Sequence, residues 1–205
     1  MGVPHRTWID PFVLVTLLPA EPRLVFLGDA RAIHRSPFRR WLFARIGGVV
    51  PIRPEHGRSA FAAHVEAARS VVATGAVFAL FPEVGPAVPV DRARPFGGGI
   101  GYFAVRTGAP VVPLVLGGTH ELFLGRRILL RVLPPVTARQ LLAHGGGDVD
   151  PWPPAVGSAA ERDAARAVTD ALERLVEVDV ATCHRAVEPP PGARRPLRML
   201  THLFR

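Results

Sequence analysis

A histidine and an aspartate five positions apart, in the stretch PHRTWIDP over residues 4–11, are of types that can move a proton. A neutral imidazole can take the proton of a hydroxyl as that hydroxyl attacks a carbonyl carbon. A carboxylate on the other ring nitrogen fixes the tautomer and stabilises the imidazolium that forms. Spacing alone does not join His5 to Asp10, because helical neighbours stand three or four residues apart. The chain must turn between them. Asp10 precedes Pro11, and Asp is favoured just ahead of a helix that opens on proline. The stretch therefore places His5 in a loop that leads into a helix capped by Asp10. In one reading the loop folds His5 back onto that carboxylate. In the other, Asp10 is only a cap and His5 a surface residue.

Two more charged residues stand where strands meet loops. Arg53 ends GGVVPIR, and Glu83 follows the apolar run AVFALFP. In α/β sheets the ligand crevice lies beyond the carboxyl ends of the strands, so both residues are expected at one crevice. Arginine holds a phosphate through two parallel hydrogen bonds. Glu83 would orient a hydroxyl or hold Arg53, and a plain Arg53–Glu83 ion pair at the rim is the competing expectation. RPFGGGIGYFA, residues 94–104, contains a G-x-G-x-x-A match at Gly99, Gly101 and Ala104. Arg-Pro-Phe ahead of it is no strand, so dinucleotide binding is not read from it. The glycine run still leaves backbone N–H groups free at a helix start, where they could line a site. There is no G-x-S-x-G elbow. His34, His56, His64, His120, His144, His184 and His202 are scattered without metal-ligand spacing, so no metal is expected. His64, beside an alanine-rich helix face, reads as structural.

Apolar periodicity supplies the elements that must position these groups. A helix is expected over 11–18, a buried strand over 23–29, a helix over 36–48 and a strand over 49–53. The clearest amphipathic helix spans 59–75, with Phe61, Val65, Ala68 and Val72 on one face and Gly75 ending it. The continuous run at 76–82 marks a strand buried on both faces. A short helix near 100–107, a buried strand at 110–116 and an alternating outer strand within 126–136 follow. A loop or linker covers 144–157. Ser158 and Glu161 stand in capping-box spacing at the head of a long helix over 158–187, expected to pack through Ala165, Val168, Leu172 and Leu175. Strands alternating with helices indicate an α/β fold, a largely parallel central sheet flanked by helices on both faces. The organisation expected is a core over 1–143, the linker, the long C-terminal helix and a basic amphipathic tail over 188–205.

Composition narrows the partners. A chain of 205 residues, 48% hydrophobic and 20% charged, suits one domain with a sizeable core. Its one cysteine, Cys183, excludes an internal disulfide and reads as helix packing. The net charge is +8 and all 25 basic residues are arginine, which favours anionic partners. No apolar run reaches eighteen residues, so no spanning helix is expected. Asp10 interrupts the short run that loosely imitates a signal peptide, so that reading is set aside. In the tail, Arg194, Arg195, Arg198 and Arg205 alternate with Leu197, Leu200, Leu203 and Phe204. Such a segment either lies flat on an anionic membrane or packs on its own domain. Nucleic-acid binding is not expected, because no binding module is recognisable.

HRTWID, GGVVPIR, FPE and GAPVVPLVL occur in that order, each motif roughly thirty to forty residues after the last, with RPFGGG between the third and fourth. This series, over about residues 3 to 135, resembles the glycerolipid acyltransferases, whose best-known members are lysophosphatidic acid acyltransferases. The resemblance implies their fold, a glycerol-3-phosphate acyltransferase-like α/β core. It implies His5 as catalytic base and Asp10 as its orienting partner. It further implies an acceptor-phosphate site at Arg53, Glu83, Val84, Gly85 and Arg94, and a donor-side role for Pro113. The co-substrate would be acyl-CoA or an acyl carrier protein, with no other cofactor and no metal. The acceptor would be a lysophospholipid or glycerol phosphate, at the cytoplasmic face of the membrane, with the protein bound peripherally. Three departures stand out. Pro4 replaces the family's asparagine. The third motif is FPEVGPA where the family has Phe-Pro-Glu-Gly-Thr-Arg-Ser, with Arg92 or Arg94 as candidate replacements for its arginine. Only MGVP stands where the family has a full strand and a membrane-binding segment. The alternative these changes raise is a lipid-binding pseudoenzyme or an acyltransferase for a non-glycerolipid acceptor.

Overall fold

The computed structural model describes residues 1–29, 37, 41, 48–52, 57–145 and 150–200. The chain enters as β1 (Gly2–Val3), turns through the HRTWID loop into α1 (Asp10–Leu17), and returns as β2 (Leu24–Asp29). It continues as β3 (Val49–Ile52), α2 (Gly57–Ala73), β4 (Val77–Ala79) and α3 (Gly99–Thr107). β5 (Leu114–Gly117), β6 (Leu129–Val132), α4 (Ala138–His144) and α5 (Ala159–Val187) complete it. The helix expected over 36–48 lies outside the described residues apart from positions 37 and 41, both helical, and Gly48, which is not.

β2 pairs in parallel with β3 on one side and β4 on the other. β1 pairs in parallel with β5, which pairs antiparallel with the outer strand β6. The two three-stranded groups meet where the Gly2 N–H donates to the Leu80 carbonyl, 2.9 Å away, just past β4. Gly2 faces Leu80 and the His5 backbone faces Glu83, so β1 also runs parallel to its β4 neighbour. The expected parallel sheet is present, and every parallel strand points its carboxyl end to the edge that holds His5. One apolar core, including Phe103, Val115, Val168 and Leu172, lies under α2, α3 and α5. A second, around Leu14, Phe26, Ala79, Leu114 and Leu116, lies under α1.

Several expectations shift for physical reasons. β1 was not expected as a central strand: two residues carry no periodicity, and only its neighbours fix it. Gly2 fits there because a Cβ would stand 2.8 Å from the Phe81 ring and 3.1 Å from Leu14. β5 starts at Leu114 rather than 110, since Pro110 and Pro113 have no N–H for a ladder. β4 is short because Phe81 and Pro82 leave the ladder for the site loop. α4 was not expected, although Thr137 and Gln140 cap it reciprocally. In α5, Leu175 is 41% exposed and Val176 is buried in its place. The stripe runs Val168, Leu172, Val176, Val180, one helical turn per step. Ser158 does cap α5 through the Glu161 N–H, but the Glu161 carboxylate reaches the Gly157 N–H instead of closing the box.

The G-x-G-x-x-A stretch has a packing explanation. α3 crosses α5 so closely that a Cβ on Gly101 would run into the Ala165 carbonyl oxygen and crowd Thr169. Gly101→Ala is therefore expected to destabilise the fold by about 3 kcal/mol, the upper range for overpacked cores. Urea denaturation measures this, and a loss under about 0.5 kcal/mol, the scale of a neutral surface change, would refute the close crossing.

Candidate active site

Asp10 is fully buried, and its carboxylate has four protein donors. His5 Nδ1 stands 2.9 Å from Oδ2, and since a carboxylate only accepts, Nδ1 carries the proton. The backbone N–H groups of Arg6 and Thr7 donate to the same oxygen at 2.7 and 2.8 Å. The Thr7 hydroxyl donates to Oδ1 at 3.1 Å. The expected cap is corrected here: α1 begins at Asp10 itself, its N-cap is Ile9, and no side chain caps it. Upstream donors outnumber those of the helix start, so the carboxylate folds backward over the loop. The His5 ring stacks on Phe81 at 4.3 Å and 21° and keeps 40% of its side chain exposed. Its Nε2 has no partner among the described residues. The geometry is that of a base with one nitrogen held and the other open.

Glu83 fixes the same loop from the other side. One carboxylate oxygen accepts the His5 backbone N–H, and the other accepts the Arg94 N–H at 2.6 Å. The chain between them forms a closed loop. Glu83 and Phe96 make an antiparallel bridge, Val84 N–H reaches Pro95 at 2.9 Å, and Gly97 N–H reaches Pro82 at 2.8 Å. Phe96 N–H donates to Glu173 of α5 at 2.9 Å, so the long helix anchors the loop base.

Among the sequence candidates, His5, Asp10, Glu83 and Arg94 come together. Val84 and Gly85 lie in the closed loop, both exposed. Pro113 is fully buried ahead of β5, at the opposite end of the strands from His5, and its carbonyl accepts the Leu133 N–H at 2.9 Å. Arg53 lies outside the described residues. Sequence reasoning passed over Thr7, Phe81 and Arg6. The signal for Arg6 was its place next to the histidine. Its Nη2 donates to the Pro89 carbonyl at 3.3 Å and the Val90 carbonyl at 3.4 Å, and also to Arg92.

A cavity of about 450 Å³ lies at the seam of the sheet. Its walls include Leu14, Phe26, Val77, Ala79, Phe103 and Val112, almost all apolar. It occupies the space between β4 and β5 on the side of Gly2 away from His5. Leu80 lines it, and the next residue, Phe81, carries the His5 ring.

A family model described as Acyltransferase matches residues 3–117, more than half of the chain. The chain belongs to the acyltransferase family. Acyl transfer is therefore its general chemistry. The match runs from β1 to the end of β5 and takes in His5, Asp10, Glu83, Arg94 and Pro113. No curated protein and no solved structure is significantly similar to the chain.

The loop after β5 reaches the same sheet edge. His120 and His184 are not apart, as their spacing suggested: their rings stand 5.3 Å from each other. With Glu188 they offer ligand atoms all within 4.8 Å. Arg126 lies 3.5 Å from the same Glu188 oxygen, and a fixed cation there opposes a divalent ion. The tail closes over this loop. Arg195 pairs with Glu121 at 2.5 Å and Glu188 at 3.3 Å, Arg198 also pairs with Glu121, and Leu124 N–H reaches Pro196 at 2.9 Å. Residues 201–205 lie outside the described residues.

Burial, reinforced by the Arg126 charge, lowers the His120 imidazole from 6.5 to about 4. The folded chain thus resists a proton that the unfolded chain binds. The stability present above about pH 6.5 falls as pH drops toward 4. His120→Gln is expected to flatten that decline in urea melts at pH 7.5, 6 and 5. An unchanged slope would show that His120 is not its source.

Proposed function

We propose that this acyltransferase moves a fatty acyl group from an acyl-CoA or acyl carrier protein thioester to a hydroxyl of a lysophospholipid or related glycerol phosphate. The observation that carries this reading is the His5 Nδ1–Asp10 contact at 2.9 Å, with the ring 40% exposed. His5 Nε2 takes the proton of the acceptor hydroxyl as its oxygen attacks the thioester carbonyl carbon. The C–S bond then breaks, and the departing thiolate takes the proton back from the imidazolium. Direct transfer needs no serine or cysteine nucleophile and no metal. Asp10 holds the tautomer and stabilises the imidazolium. The apolar cavity, of a size typical for ligand pockets, is suited to the acyl chain, with the thioester at its Phe81 end. The arginine-rich composition and net charge of +8 favour peripheral residence at an anionic, cytoplasmic membrane face. No helix among the described residues is long and apolar enough to cross a membrane.

His5→Ala is expected to lower transfer from radiolabelled acyl-CoA by roughly a hundred- to ten-thousand-fold, the usual contribution of a general base. A folded variant with unaltered turnover would exclude the mechanism. Ala79→Phe, in the cavity wall, is expected to shift chain-length preference toward shorter acyl donors. An identical chain-length profile would remove the cavity from the donor site. Val84 and Pro86 in the third motif favour a second reading, transfer to an acceptor that is not a glycerolipid. Screening acceptors with one labelled donor separates the two.

A further inference from the structure

Exposed apolar side chains gather where the C-terminal tail meets the loop after β5. Leu124 is 63% exposed, Leu197 51% and Met199 63%. The Leu124 N–H donates to the Pro196 carbonyl at 2.9 Å, which sets the exposed leucine of the loop beside that of the tail. Among the described residues, Leu197 is the one non-glycine with a positive φ, +53°. A left-handed leucine is strained. Here the strain leads to no burial, and the side chain stays in solvent. Arginines stand among these residues. Arg127 and Arg194 are exposed and make no ion pair among the described residues. Arg198 is exposed too, although its Nε pairs with Glu121. The two segments, 118–128 and 188–200, hold five arginines against two glutamates. Both glutamates are already paired with arginine.

We infer that this platform is the surface by which the chain docks on an anionic lipid bilayer, with Leu124, Leu197 and Met199 entering the interface and Arg127, Arg194 and Arg198 meeting lipid phosphates. This rests on the membrane residence proposed above and assigns it to one face. Apolar side chains interleaved with arginine suit the boundary between headgroups and acyl chains, and each arginine near it is drawn to a negative surface. Single apolar residues scattered over a surface are ordinary, but these are brought together by a hydrogen bond between distant segments. Arg195 ties the tail to Glu121 and Glu188, so the platform is formed before lipid arrives. Glu121 is buried under those links and presents little negative charge outward. Orientation follows from the sheet. Val3 of β1 lies opposite Val115 of β5 in a parallel pair, so both strands end at the edge that holds His5, and the loop carrying Leu124 begins there. Docking through this face turns the His5 edge toward the bilayer, where a lysophospholipid acceptor resides.

The test is flotation of the full chain with vesicles of phosphatidylcholine alone and of phosphatidylcholine with an equal part of phosphatidylglycerol. Acyl transfer is assayed beside it in solution, with a short-chain acyl-CoA and glycerol 3-phosphate. Wild type is expected to float with the anionic vesicles, to stay behind with the neutral ones and to lose affinity in high salt. Leu124→Ser with Met199→Ser is expected to weaken that binding about tenfold, and Arg127→Gln with Arg194→Gln by a similar factor. All four positions are exposed, so melting temperature and transfer in solution are expected to stay at wild-type values. Leu124→Cys reports the contact directly. A polarity-sensitive dye on that thiol, the native Cys183 being buried, is expected to shift to the blue on anionic vesicles. Binding within about twofold of wild type in both double variants, or an unshifted dye, would overturn the inference. A chain that dimerises through this face and binds no vesicles, its dimer lost in the Leu124 and Met199 variant, would overturn it as well. Vesicle binding of the expected pattern without acyl transfer would uphold the platform and sink the proposed reaction. Transfer in solution without vesicle binding would do the reverse.

Discussion

A buried carboxylate must have its acceptors filled, and here the short loop that fills buried Asp10 also supplies one donor to half-buried Glu83. Asp10 takes the His5 ring and the backbone of Arg6 and Thr7. Glu83 takes the backbone of His5. If the loop relaxed, buried Asp10 would lose its donors and Glu83 would keep only the Arg94 N–H, so the cost of unpaired acceptors holds residues 5–7 in one shape. The consequence is chemical. His5 is pinned through its backbone, through Nδ1 and by stacking on Phe81, yet one nitrogen remains open to a substrate. Preorganisation of this kind lets an imidazole act without searching for its orientation.

The sheet explains why those carboxylates meet. Parallel strands bring all their carboxyl ends to one edge, and there β1 delivers the histidine while the chain past β4 delivers Glu83. The seam between the two strand groups rests on the Gly2–Leu80 hydrogen bond. On one side of Gly2 stands the polar site; on the other lies the apolar cavity. Phe81 and Leu80 divide them, one under the imidazole and the other in the cavity wall. The reaction proposed above, joining a polar acceptor to an apolar chain, would draw on both environments, which a short central strand brings within a few residues of each other.

The C-terminal part secures this arrangement from behind. α5 lies against α3 and β5 through small residues, with Gly101 under Ala165 and Gly117 under Cys183. Glu173 on the same helix holds the base of the Glu83 loop. The basic tail has a structural use that its composition did not announce. Arg195 and Arg198 turn toward Glu121, so two of the arginines counted toward a membrane-facing surface are tied into the loop after β5.

The sequence by itself determined the alternation of strands and helices, the helical stripe of α5 apart from Leu175, and the grouping of motifs that marks an acyltransferase. These are local quantities: periodicity, caps and turn residues act over a few positions and are visible in a linear string. It also raised the His5–Asp10 pairing, but left it open, since five residues apart fits a cap as well as a contact. Only the tertiary structure decided that the carboxylate folds backward, because its competing donors come from a loop whose path is set by β1 and Glu83. The central place of a two-residue strand and the gathering of His120 with His184 are likewise long-range facts. Each depends on which distant segments meet, and no spacing along the chain encodes that.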